Sequence, residues 1–259
     1  MATTKSAPLK KTPVVATTAV AVKKTSGNVV SIQEALRAQA AAMSDRIAPP
    51  SGIRITTGGK NFSLPDGTKV PGPLELVVVD FVARNEFYEN DYDKDSIVPP
   101  ACFAIGSNPV KLVPSANSPL KQADDCTSCP MNAFGSKGKG KACSNTRLLA
   151  VLPPDADDST PLWLLKVSPT GGKAFDGFVR SVATTFQLPP IGVVVTVSFD
   201  ENEDYPKLVF SDPKPNNNVG THYGRQEEAR ALLVAEPDIT SFVVDKPAKA
   251  APKRAAARR

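Results

Sequence analysis

From residue 52 onward, apolar and polar positions alternate in short runs broken by glycine, proline and asparagine, the texture of β-strands joined by turns. Ile53–Thr57 and Asn61–Leu64 predict two short strands, with turns at Gly58-Gly59 and Pro65-Asp66-Gly67. Leu74–Arg84 reads as the strongest strand, followed by Ala101–Gly106, Arg147–Leu152 and Leu162–Ser168. Val193–Phe199 and Lys207–Phe210 predict a last pair joined by an acidic turn. In Gly171–Gln187 the period changes: Phe175, Phe178, Val179, Val182 and Phe186 recur at helical spacing before Pro189-Pro190, so an amphipathic helix should place its phenylalanines in the core. Shorter helices are predicted over Ala35–Arg46, behind a capping-box start at Ser31–Glu34, and over Arg225–Ala235. Seven or more short strands around one internal helix predict a mainly β, α+β fold. The expected form is an OB-like Greek-key barrel with one or two flanking helices, rather than a parallel α/β sheet.

The stretch 114–146 breaks this pattern, having too few large apolar residues to build a core, and it contains three of the four cysteines. Cys126 and Cys129 are spaced C-x2-C, Cys143 closes the stretch, and Cys102 lies on the strand before it. Two intervening residues let one turn aim both thiolates at a single ion, so Cys102, Cys126, Cys129 and Cys143 are the expected ligands of a metal inserted into the barrel. Zinc is the leading expectation and an iron–sulfur cluster the alternative, since both take four thiolates. Disulfides and structural free thiols are the competing readings; a chain able to bury an ample core has little need of disulfides.

Charge sharpens the domain boundaries. Residues 1–30 hold five lysines and 246–259 six basic residues, neither segment with an acid, which leaves the body at −6 within a chain of +5. Both ends are rich in alanine, threonine and proline, and are expected to be disordered basic arms flanking a 31–245 domain. Such arms attract polyanions by counterion release. No run of about 18 apolar residues suggests a membrane span, and the short, threonine-rich Pro13–Val22 stretch makes a poor secretory signal.

Before Cys143 runs Gly135-Ser-Lys-Gly-Lys-Gly-Lys141. Its spacing matches most of a phosphate loop, but Ala142 stands where Ser or Thr would hold magnesium and no apolar strand precedes Gly135. The same run suits a basic finger: Lys137, Lys139, Lys141 and Arg147 are expected to contact phosphates, with Arg84 at the end of the strongest strand. Among the sparse aromatic residues, Tyr88 and Tyr92 lie in a polar segment and are the candidates for stacking on bases, whereas Trp163 and Phe81 are expected in the core. The acidic runs 89–95 and 200–204 read as solvated turns. His222, the sole histidine, is expected in a surface loop, and no catalytic constellation can be assembled around it, so no enzymatic activity is expected.

Together, Gly72–Asp80, Pro99–Gly106, Cys126-x2-Cys129-Pro130-x-Asn132-x-Phe134-Gly135, Gly138–Cys143 and Arg147–Leu152 resemble a group of small bacteriophage proteins regarded as single-stranded DNA-binding or replication-associated. The likeness covers about residues 52–212. It implies binding of single-stranded DNA in phage replication or recombination, in the cytoplasm of the bacterial host, beside other replication or recombination proteins. One departure is the basic carboxyl end, where such proteins typically carry an acidic tail that recruits partners. The alternatives are a metal-containing regulatory or adaptor protein contacting a polymerase or other partner through its acidic body, and an iron–sulfur DNA-processing factor.

Overall fold

The apolar run Leu-Val-Val-Val at 76–79 can be buried on both faces only inside a sheet, and it forms the first half of a fourteen-residue strand at the centre of the computed structural model. The structure describes residues 52–56, 59–91, 93 and 97–242. The expected basic arm 1–30, helix 35–46, tail 246–259 and Tyr92 lie outside them.

The described strands are β1 (Gly52–Ile55), β2 (Phe62–Ser63), β3 (Lys69–Val70), β4 (Leu74–Phe87), β5 (Cys102–Gly106), β6 (Cys143–Leu152), β7 (Trp163–Val167), β8 (Val193–Phe199) and β9 (Leu208–Pro215). The helices are α1 (Gly172–Thr185), α2 (Val219–Gly224) and α3 (Gln226–Leu233). The fold is mainly β: one mixed sheet in the order β3-β2-β1-β7-β6-β4-β8-β9, with β5 added to β4. Every pairing is antiparallel except β1 with β7. The sheet curls so strongly that residues near its opposite ends meet. Phe62 of β2 stacks on Phe199 of β8 with ring centroids 4.4 Å apart, and Lys60 Nζ donates to the Asp200 carbonyl at 2.6 Å.

β4 pairs with β6 along one edge, while its other edge is shared by β8 at Leu74–Val77 and β5 at Ala83–Phe87. A bulge between Val78 and Asp80 shifts the register against β6. One extra residue reverses the alternation of side chains beyond it. Leu76 and Val78 before the bulge and Phe81 after it therefore face the same core, with Leu149, Leu165, Val195 and Val197. α1 lies on this inner face. Its Phe175 meets Phe81 edge-on at 4.9 Å and Phe210 at 5.2 Å, as the helical spacing predicts. The helix stops where Gln187 takes a left-handed backbone ahead of Pro189-Pro190. On the outer face Val77, Val79, Val82, Leu148 and Ala150 pack beneath Ala229 and Leu233 of α3.

His222 departs from expectation. It is fully buried in α2 rather than exposed in a loop, because its ring completes a polar anchor under the outer face. Asn216 Nδ2 donates to the Ile191 carbonyl at 2.8 Å and lies 2.9 Å from His222 Nδ1. An amide nitrogen can only donate, so Nδ1 accepts and the neutral ring carries its proton on Nε2. Burial pushes the His222 pKa below its ordinary value; the Ala156 carbonyl opposes the shift and Arg225 adds to it. The unfolded chain therefore binds this proton more readily than the folded one. Stability is full above about pH 6.5 and is lost as pH falls through that value towards the lower folded-state pKa. Urea unfolding midpoints should decrease between about pH 7.5 and 5.5, and His222→Gln should flatten that dependence. A pH-independent parent midpoint would contradict this account.

Candidate functional site

Phe87, the last residue of β4, pairs with Cys102 of β5 on one side and Cys143 of β6 on the other. Directly opposed residues share a face, so both thiols flank Phe87 on the side where α1 lies farther along the sheet. β6 begins at Cys143, four residues before the strand expected at Arg147, so Cys143 is held by a ladder rather than by a loop. Cys126 and Cys129 come from the segment between β5 and β6. The Cys126 amide donates to the Leu112 carbonyl at 3.0 Å, and Asp125 Oδ1 accepts the Thr127 and Ser128 amides, both at 2.8 Å, forming the turn that spaces the pair. Asn132 closes it from behind, its side chain donating to the Cys126 carbonyl at 2.6 Å.

All four thiols are unbonded and buried, with 7–9% exposure, and with Asn85, Phe87 and Met131 they line one cavity of about 10 Å³. Burial pushes the Cys143 thiol up to about 12; the other three sulfurs add to the shift and Lys141 opposes it. Cys126 is raised in the same way, against the Asn85 side chain, which favours its thiolate. Deprotonated together, four buried thiolates would repel one another and would need a cation, so the donor chemistry suits a soft metal. The geometry is less advanced: among the described residues, no three His, Cys, Asp or Glu form a set arranged to ligate a metal ion.

The basic finger folds back on itself. Gly135 and Gly138 have positive φ (89° and 57°), Lys137 and Gly140 form a β-bridge, and the Gly135 amide donates to the Gly140 carbonyl at 2.8 Å. Lys141 Nζ bonds Asn132 Oδ1 at 3.1 Å, linking the finger to the C-x2-C turn. Lys137 pairs with Asp91 and, with Tyr88, Ile97, Val98 and Ala142, lines a groove of about 340 Å³ that Asp91 and Asp93 also border. Tyr88 is 38% exposed, and burial together with Glu86 pushes its hydroxyl up to about 12. Lys139 is exposed and makes no ion pair among the described residues.

The two arginines expected to contact phosphate are engaged elsewhere. Arg147 grips Asp176 of α1 in a two-pronged pair, Nε at 3.0 Å and Nη2 at 2.9 Å, and Arg84 Nε lies 2.9 Å from Glu86. Phe134, not among the expected stacking residues, is 81% exposed at the foot of the finger. Its signal is a lone aromatic residue beside a glycine–lysine run, outside any apolar period.

Comparisons with family models, with curated proteins and with solved structures return no match for this chain.

Since Arg147 ties the sheet to α1, Arg147→Lys should lower unfolding stability by about 1–2 kcal/mol, because an ammonium cannot reproduce the two-pronged pair. If the chain binds nucleic acid, the salt dependence of that binding should stay unchanged. A reduced salt slope with parental stability would instead make Arg147 a phosphate contact.

Proposed function

We propose that the protein binds single-stranded DNA at the end of the sheet where the finger meets Tyr88, with the four cysteines holding a structural zinc ion beneath. The observation that carries this reading is the shared groove: an accessible aromatic ring and a lysine line one cleft, and the loop supplying the lysine is rooted at Cys129 and Cys143. Stacking on a ring tolerates any base, while lysines follow the phosphates. Lys137 is not lost to this role, since solvent screens an ion pair as exposed as that with Asp91 and a phosphate can replace the carboxylate. The curled sheet is compatible with the OB-like barrel that such proteins use. Phage replication or recombination in the host cytoplasm is the proposed setting, and the proposed role is binding rather than catalysis. No helix among the described residues is long and apolar enough to cross a membrane. Ile97 and Val98 in the same groove give the adaptor reading its specific observation, since apolar side chains beside acids suit a protein partner.

Cys102, Cys126, Cys129 and Cys143 would hold the metal, whose charge would stabilise thiolates that burial otherwise disfavours. Elemental analysis of protein purified without chelators should find one zinc per chain, and Cys126→Ser should lose it while β-sheet circular dichroism persists. Iron with visible absorption would replace zinc by a cluster. Protein carrying neither metal would remove the proposal.

Fluorescence titrations with single- and double-stranded oligonucleotides across salt concentrations test the binding reading. The single strand should bind more tightly. Tyr88→Ala should cost about 1–3 kcal/mol with little change in salt slope, and Lys139→Ala should lower the slope by about one. Equal binding of both DNA forms by parent and variants alike would leave the adaptor reading.

A further inference from the structure

A second groove, of about 580 Å³, is lined by Arg54, Ser144, Thr146, Lys166, Ser168 and Pro206 among others, with no carboxylate among the described residues of its wall. Strand register explains how these residues meet. Ser144 and Thr146 oppose Glu86 and Arg84 across β4–β6, and Lys166 opposes Leu148, so all of them lie on the outer face. β7 ends at Val167, opposite Arg147, leaving the first residues of β6 without a β7 neighbour. β1 pairs with β7 only at Gly52 and Ile53, then turns to β2. The groove fills the gap between them. Arg54 next aligns with Ser63 and, through it, with Lys69, carrying the same face onward to β3.

The two grooves are close along the chain: Ala142, which lines the first, lies two residues before Ser144, which lines the second. Their electrostatics differ. Asp91 and Asp93 border the first, whereas the second has Arg54, exposed and without an ion-pair partner among the described residues, and Lys166, whose side chain is 51% exposed. Lys166 bonds Glu86 at 2.6 Å, but that carboxylate is only 7% exposed, so the groove presents the cation and conceals the acid. Lys69 beyond it is likewise exposed and unpaired among the described residues.

We infer that this groove is the backbone-binding half of an extended site, in which a single nucleic-acid strand runs from Tyr88 and the finger, across the start of β6 that β7 leaves unpaired, to Arg54 and Lys69. The inference rests on the single-strand reading and adds its path. The Arg54 guanidinium and Lys166 ammonium beside the Ser144 and Ser168 hydroxyls match a phosphodiester chain, which needs both charge neutralisation and hydrogen-bond donors. From β4 to β1 the path crosses three strand spacings, about 14 Å, so a short oligomer can fill one groove and only a longer one both.

The test uses the full chain and fluorescein-labelled thymidine oligomers of about 4 and about 16 nucleotides. Arg54→Glu and Lys69→Glu probe the new groove and Lys139→Glu the finger. Arg180→Glu, on α1 at the opposite face, controls for net charge, and circular dichroism checks folding; Arg54→Ala serves if the reversal disturbs β1. Arg54→Glu and Lys69→Glu should each weaken binding of the long oligomer about tenfold relative to Arg180→Glu, and Arg54→Ala should lower its salt slope by about one. If the parent binds and only Lys139→Glu weakens it, the second groove falls while the single-strand reading stands. If the parent binds no oligomer, that reading falls and takes the path with it. Equal affinity of the parent for a glutamate peptide of matched charge would also overturn the inference, showing attraction to any polyanion.

Discussion

Continuous hydrogen bonding along β4 is the constraint on which the rest of the molecule depends. One edge is occupied by β6, the other is divided between β8 and β5, and both core layers and the cysteine cluster are built on its fourteen residues. The bulge after Val78 sets which side chains do which work. With it, Phe81 reaches α1, Ala83, Asn85 and Phe87 turn towards the insertion, and Arg84 and Glu86 lie on the outer face. Without it, the half of the strand beyond Asp80 would reverse its faces. Asn85 would then leave the cysteines and Arg84 would enter a buried, uncharged cavity, at several kcal/mol for an unpaired ion.

The insertion shows how a segment poor in apolar residues is held in place. Its own small cluster is Leu112 and Cys126 against Ala83 and Ala104. The remainder relies on backbone and amide bonds: Leu120 to the Ala101 carbonyl at 2.7 Å, Ser118 to both polar backbone atoms of Phe103, and Asn132 to Cys126. Asn145 extends the chain of amides by donating to Asn85 Oδ1 at 2.7 Å. These bonds hold the peptide close to the sheet without bringing the four sulfurs to metal-ligating geometry. A bound cation would complete the part that hydrogen bonds cannot, because buried thiolates repel one another.

Net charge says little about which surface attracts an anion. Arg84, Arg147 and Lys207 all pair with carboxylates of the sheet, α1 or the 200–204 turn, and they stabilise the fold more than they shape its field. The exposed cations without an ion pair among the described residues include Lys139 on the finger, and Arg54 and Lys69 along the outer face. Their alignment across β1, β2 and β3 turns a body of net −6 into one with a locally positive track.

Periodicity alone located most strands, the α1 helix and its core phenylalanines, since alternation and 3.6-residue spacing are properties of the chain itself. Spacing likewise singled out the four cysteines and the lysine finger. Other features depend on partners distant in sequence. The start of β6 at Cys143 follows from its ladder with Phe87, and the burial of His222 from Asn216 and Ile191. Arg147 looked like a phosphate contact because nothing near it in sequence reveals Asp176, 29 residues away. The second groove was invisible for the same reason, as Arg54, Ser144 and Lys166 meet only where β1 leaves β7 and β7 ends before β6. Local pattern determines which segments become strands or helices. Which charges are neutralised and which face water is decided by strand register and curl, because a side chain's electrostatic role depends on what the sheet places opposite it.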